Sequence, residues 1–214
     1  MKSDDPLDSI LRRAPIIPVF SPDAADTAID VAKALVRGGL PVIEVTLRSD
    51  VALAALRAIA EHVPEAIVGA GTVLRAEQID TARDAGAQFL VSPGVTEKLL
   101  AAASNQPVPL LPGIATASEL MLGLAAGLRC FKFFPAASAG GPAMLRAFAG
   151  PFPHVWFCPT GGITPASAVD YLSLPNVICV GGSWLTPANA IATRDWSRIE
   201  ALARAASRFR PDHH

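Results

Sequence analysis

Cysteine is scarce in this chain of 214 residues, and the three present (Cys130, Cys158 and Cys179) sit in apolar runs without the close C-x-x-C spacing of a zinc site or redox pair. They are expected to be reduced core thiols, and no metal site is expected. No charge of one sign dominates: 18 Lys and Arg stand against 19 Asp and Glu, a net charge of -1 with an isoelectric point near 6.4. A basic surface for nucleic acid is therefore not expected. No uninterrupted apolar stretch approaches the roughly 18 to 20 residues of a membrane span. The opening MKSDDPLDSILRRAP carries acids early and no apolar core of a secretory signal. These absences predict a cytoplasmic protein with neither a nucleic-acid nor a membrane partner. Pro/Gly/Ser-rich linkers are lacking too, so residues 1–214 read as one domain, with the terminal His213 and His214 left out of functional reasoning.

What is abundant is apolar: hydrophobic residues make up 51% and charged residues 17%, enough for a sizeable core. Eight short apolar or β-branched runs recur: IIPVF, PVIEVTL, AIVGAG, QFLVSPG, VPLLPG, CFKFFPA, VWFCPTGG and VICVGGS. Between them lie segments such as DAADTAIDVAKALVRGG with Ala, Leu and Ile at helical spacing. Ser21-Pro22-Asp23, Ser49-Asp50, Thr116 to Glu119 and Thr164-Pro165 mark helix starts; Gly38-Gly39, Gly86 and Gly127 mark stops. Strands apolar along their whole length and joined by helices need cover on both faces, which means a parallel sheet. Eight such units predict a small α/β protein, a (β/α)8 TIM barrel. An open doubly wound sheet is the alternative, but the first strand-to-helix turn, VFSPDAAD, lacks the glycine-rich dinucleotide fingerprint.

In a barrel the chemistry collects at the C-terminal ends of the strands. Alternation along the second strand puts Val42, Glu44 and Thr46 on one face, and in the sixth it pairs Lys132 with Phe134. Strands two and six are opposite in a ring of eight, so an inward Glu44 and Lys132 would converge. Lys132 is one of only four lysines and is flanked by phenylalanines. One reading is a buried ion pair that fixes the barrel. The other is an amine that burial keeps neutral and nucleophilic toward a ketone, with a carboxylate to shuttle protons. Gly161-Gly162 and Gly181-Gly182 follow the seventh and eighth strands, where barrels often hold phosphate, although a tight turn accounts for either pair alone. His62 and His154 read as surface histidines, and Trp156, Trp184 and Trp196 as packing residues.

The segments IEVTLRS, GAGTVL, VSPG, LPGIATASELMLG, FKFFPA, FCPTGGIT and VGGSWL, in this order, resemble the 2-keto-3-deoxy-6-phosphogluconate (KDPG) aldolase family over about residues 15–205. The resemblance implies a class I, metal-independent lyase of the Entner-Doudoroff pathway, a homotrimer with no cofactor beyond a covalent Schiff base. Its substrate would be a phosphorylated keto acid, KDPG, cleaved to pyruvate and glyceraldehyde 3-phosphate. 4-Hydroxy-2-oxoglutarate, cleaved to pyruvate and glyoxylate, would be a second. By the same resemblance Lys132 forms the Schiff base and Glu44 is the acid/base. Arg48 and Thr72 hold the pyruvyl carboxylate, Pro93, Phe134 and Thr160 line the substrate pocket, and Gly161, Gly162, Gly181, Gly182 and Ser183 hold the phosphate. A sugar-phosphate isomerase or epimerase, with Glu44 abstracting a proton and Lys132 as an electrostatic partner, is the alternative.

Overall fold

Each of the eight apolar runs carries parallel strand in the computed structural model, which describes residues 6–209. The strands are β1 (Ile16–Phe20), β2 (Val42–Thr46), β3 (Ile67–Gly71), β4 (Leu90–Val91), β5 (Leu110–Leu111), β6 (Gly113–Ile114), β7 (Cys130–Phe133), β8 (Trp156–Pro159) and β9 (Val180–Gly182). Helices α1 (Pro6–Leu11), α2 (Ala25–Arg37), α3 (Ala52–His62), α4 (Glu77–Asp84) and α5 (Glu97–Ala103) alternate with the first of these strands. Helices α6 (Ala117–Ala125), α7 (Gly141–Ala149), α8 (Pro165–Leu172), α9 (Ala188–Ala192) and α10 (Trp196–Ala206) follow in the second half.

Period-two alternation sorts the strand residues into two apolar clusters. Ile16, Ile43, Val45, Val68, Ala70, Phe131, Phe133 and Phe157 pack outward against the helices. Ile17, Val42, Phe89, Val91, Leu111, Cys130, Cys158 and Cys179 form a second cluster on the other side of the sheet. A sheet buried on both faces has no solvated side for polar residues, which is why the strands read as continuous apolar runs. Leu7 and Leu11 of α1 belong to the second cluster and cover it from the side of the strand starts. Arg12 then spans from Asp8, at 2.9 Å, to the face of Trp156, 4.8 Å from the ring centre. The three cysteines are buried thiols outside any disulfide. Burial pushes the Cys179 thiol well up, and its neighbour Cys158 adds to the shift, so it stays in the unreactive protonated form.

Continuous closure into one barrel, expected from eight equal units, is replaced by a curled parallel sheet in two pieces. Six strands run in the order β5-β4-β3-β2-β1-β9 and three in the order β6-β7-β8. The fifth run is split by Pro112, which has no N–H to give to a ladder, so β5 pairs with β4 while β6 pairs with β7. On the other side, β8 and β9 touch through two isolated bridges, Phe157 to Val177 and Thr160 to Gly181.

Two helix starts also depart from expectation. Helices α2 and α3 begin at Ala25 and Ala52 without a side-chain cap, because the cap positions fall on Ala24 and Val51, while Ser21 and Ser49 lie earlier in the loops and hydrogen-bond between them. Thr116 and Thr164 do form capping boxes. Gly38 closes α2, and Gly86 and Gly127 follow α4 and α6 at φ +94° and +85°.

Candidate active site

The strand register places the two central side chains. Glu44 lies between Val19 of β1 and Gly69 of β3, and Lys132 between Gly113 of β6 and Cys158 of β8. Both point to the side of Val42 and Cys130. They meet across it: Lys132 Nζ donates to Glu44 Oε1 at 3.0 Å and Oε2 at 3.4 Å. Only 7% of the Lys132 side chain and 5% of that of Glu44 are exposed. Two charges taken from water at that depth need each other, since either alone would carry a large desolvation penalty. The layer beneath them is the apolar cluster that includes Val42, Phe89, Cys130 and Cys158.

Glycine makes the meeting possible. A Cβ at Gly71 would run into the Glu44 carboxylate, so this strand end accommodates the acid only while residue 71 has no side chain. The next residue, Thr72, is held at φ +60°, a region a β-branched residue rarely occupies. Its hydroxyl accepts from Arg48 Nε at 3.2 Å. Arg48 is exposed, and among the described residues it has no carboxylate within ion-pair distance, so guanidinium donors remain for an anion.

On the opposite wall, the Phe134 ring lies 5.3 Å from Lys132 Nζ, measured to its centre. The same ring rests against Gly161, where a Cβ would come within 3.2 Å of it. Gly161 and Gly162 adopt φ +99° and +74°, consecutive left-handed conformations that L side chains rarely take. Thr160 is buried, donates to the Cys158 carbonyl at 3.4 Å and packs on Gly181; Trp184 packs on Gly182, and Ser183 is exposed. Pro93 is half-buried, and its backbone lies against Gly113, the register partner of Lys132.

The expected residues thus form a connected chain of contacts. Arg48 and Thr72 stand on one side of the Lys132–Glu44 pair, and Phe134, Gly161, Thr160 and Gly181 on the other. Gly71, Ser21 and Thr46 belong to the same surroundings but are absent from the expected set; the G-A-G alternation at the end of β3 carries the signal for Gly71. His62 and His154 are exposed, and among the described residues no group of three His, Cys, Asp or Glu side chains could hold a metal ion. A cavity of about 280 Å³ lies elsewhere, lined by Leu7, Leu100, Leu110, Leu128 and Cys130 among others, and holds none of the expected residues.

A family described as KDPG and KHG aldolase matches residues 7–202. The KHG/KDPG aldolase of Escherichia coli is 56% identical over 199 residues, covering 93% of each chain. Among solved structures, the KDPG aldolase of Legionella pneumophila with pyruvate captured as a covalent carbinolamine is 47% identical with a TM-score of 0.92. That match covers 95% of this chain and 98% of the other. The Zymomonas mobilis aldolase with 3-phosphoglycerate is 50% identical at the same TM-score, covering 96% and 97%.

Proposed function

The chain belongs to the KDPG and KHG aldolase family, and on that premise we propose that it cleaves KDPG to pyruvate and glyceraldehyde 3-phosphate through a Schiff base on Lys132. It is an aldehyde-lyase. The observation that carries the mechanism is the buried contact of 3.0 Å between an amine and a carboxylate.

Lys132 passes a proton to Glu44 across their contact, the freed amine attacks the C2 ketone, and the carbinolamine loses its hydroxyl as water with that proton returned by Glu44. The resulting iminium is an electron sink. Glu44 takes the proton of the C4 hydroxyl, the electrons of the C3–C4 bond flow toward the iminium nitrogen, and glyceraldehyde 3-phosphate departs. The enamine left on Lys132 gains a proton at C3, and water hydrolyses the iminium to pyruvate and free amine. The iminium supplies the electrophile, so the route draws on no metal or organic cofactor.

Arg48 and Thr72 hold the carboxylate of the substrate, since the hydrogen bond from Arg48 Nε to the Thr72 hydroxyl keeps the guanidinium beside that hydroxyl. Pro93, Phe134 and Thr160 line the reacting carbons, and Gly161, Gly162, Gly181, Gly182 and Ser183 form the phosphate end. 4-Hydroxy-2-oxoglutarate, without a phosphate, uses the first two groups of residues and not the third. In this reading residues 1–214 form one domain whose two sheet pieces make one (β/α)8 barrel, joined at Pro112 and at the β8–β9 bridges, and the protein is a cytoplasmic homotrimer. Among the described residues no helix is long and apolar enough to cross a membrane. The sugar-phosphate isomerase reading finds no support in the comparisons.

Borohydride reduction with pyruvate, followed by peptide mass analysis, tests the nucleophile. The adduct is expected on the peptide containing Lys132, and Lys132→Ala is expected to lose both the adduct and turnover by several orders of magnitude. An adduct on Lys33 or Lys98, or undiminished trapping in Lys132→Ala, would overturn the assignment.

A further inference from the structure

Two hydrogen bonds join the loop after β1 to the end of β2 and the loop that follows it. The hydroxyls of Ser21 and Thr46 share one at 2.6 Å, and Ser49 Oγ donates to the Pro22 carbonyl at 2.9 Å. Arg48 lies between the two attachment points on the second loop. Its own N–H bonds to the Thr46 carbonyl at 2.9 Å, and the N–H of Leu47 reaches across to Gly71 at 2.8 Å. Thr46 is buried to 1% exposure, so its hydroxyl needs the partner that Ser21 provides, whereas Ser21 itself is exposed.

The backbone root of Arg48 is therefore pinned on both sides to the neighbouring loop, while its side chain reaches out and makes one hydrogen bond, to Thr72. A long side chain at a mouth loses much conformational freedom when it grips a ligand, and fixing its root reduces that loss before the ligand arrives. We infer that Ser21, Thr46 and Ser49 act as positioning residues that aim Arg48 at the substrate carboxylate. The inference rests on the reading of Arg48 given above.

The strap acts on binding more than on bond cleavage, because Lys132 sits on β7 and Glu44, although only two residues before Thr46, is held in place by its own ladder to β1 and β3. Steady-state kinetics on KDPG, with the pyruvate concentration that gives half-maximal borohydride trapping, reads both quantities. Ser21→Ala and Ser49→Ala combined should raise KM and the half-trapping concentration about three- to tenfold, the scale of losing one or two neutral hydrogen bonds, and leave kcat within about twofold. Thr46→Val should do the same and Thr46→Ser should restore the wild-type values. In an Arg48→Ala background the strap substitutions should add nothing further.

An unchanged KM in the Ser21→Ala/Ser49→Ala protein would overturn the inference, as would an equal rise in KM with and without Arg48. The role of Arg48 fails separately: Arg48→Ala alone would then leave KM and half-trapping where they were. Ser21 and Ser49 are exposed, so their truncation keeps the test open even where Thr46→Val does not fold.

Discussion

Glu44→Gln separates a proton-carrying carboxylate from a merely structural one. The substitution keeps shape and one carbonyl oxygen, so a hydrogen bond from Lys132 Nζ at the observed 3.0 Å survives while the negative charge and the basicity go. Two consequences compete. If Glu44 moves protons at dehydration and at C3–C4 cleavage, kcat should fall roughly 10²- to 10⁴-fold, the usual worth of a positioned general base. If it serves only to neutralise a permanently charged amine, the damage appears in stability. Deleting one partner of a buried pair costs about 3–5 kcal/mol; with the retained hydrogen bond the lower end applies, which for a domain of this size means a melting temperature lower by about 6–12 °C.

Pyruvate release in a coupled assay and thermal unfolding followed by circular dichroism, on one preparation, distinguish the two. The expected result is a kcat down by at least about a hundredfold in a protein that stays folded at 25 °C, with slow borohydride trapping of pyruvate on Lys132 retained. A turnover within a few-fold of wild type, whatever the melting temperature, would refute the proton-transfer role.

Gly162→Ala tests the phosphate end: at φ +74°, with the Ala137 methyl in the way of a new Cβ, the loop must shift. KM for KDPG should rise far more than KM for 4-hydroxy-2-oxoglutarate, and equal rises would remove Gly162 from phosphate binding. Glu119 offers a pH test of stability. Burial alone would raise its carboxyl, but hydrogen bonds from the N–H groups of Ala115 and Thr116 and from the Thr116 hydroxyl outweigh it and hold it lower than usual. A carboxyl lowered in the folded state stabilises above its unfolded value of about 4.3 and stops doing so as pH falls. Glu119→Gln should therefore cost about 0.5–1 kcal/mol in urea unfolding at pH 7, with the gap to wild type narrowing below about pH 4. A gap that widens toward acid would contradict the capping role.

The helices and strands were legible because their signals are local. The apolar run around VIEVT, buried on both faces, and the helical spacing in ADTAIDVAKALVR each depend on a single element. The Thr116 and Thr164 caps were legible for the same reason. Ser21 and Ser49 were misleading because they lie three and two residues before the cap positions Ala24 and Val51, where a hydroxyl bonds whatever partner comes close. Here that partner lies on another βα unit 25 or 27 residues away. Pro112 carried its signal openly, yet its effect on the ladder follows from pairing with two neighbouring strands at once, which no single run encodes.

For the site, the types of residue were legible and the distances were not. A lone lysine between phenylalanines and a glutamate among valines are each exceptional against the cost of burying charge, so sequence singles them out. That they meet at 3.0 Å depends on Gly71, a residue whose contribution is an absence of atoms. A glycine in a strand reads as weakness until the side chain that fills its space is known. The same holds for Thr72, whose φ of +60° nothing in G-A-G-T-V announces, and whose hydroxyl is aimed at Arg48 by that backbone conformation. Chemistry-bearing groups are thus visible one at a time, whereas the groups that aim them act through close packing between units. The reactive pair follows from composition and alternation; its geometry follows from the small residues and loop hydroxyls around it.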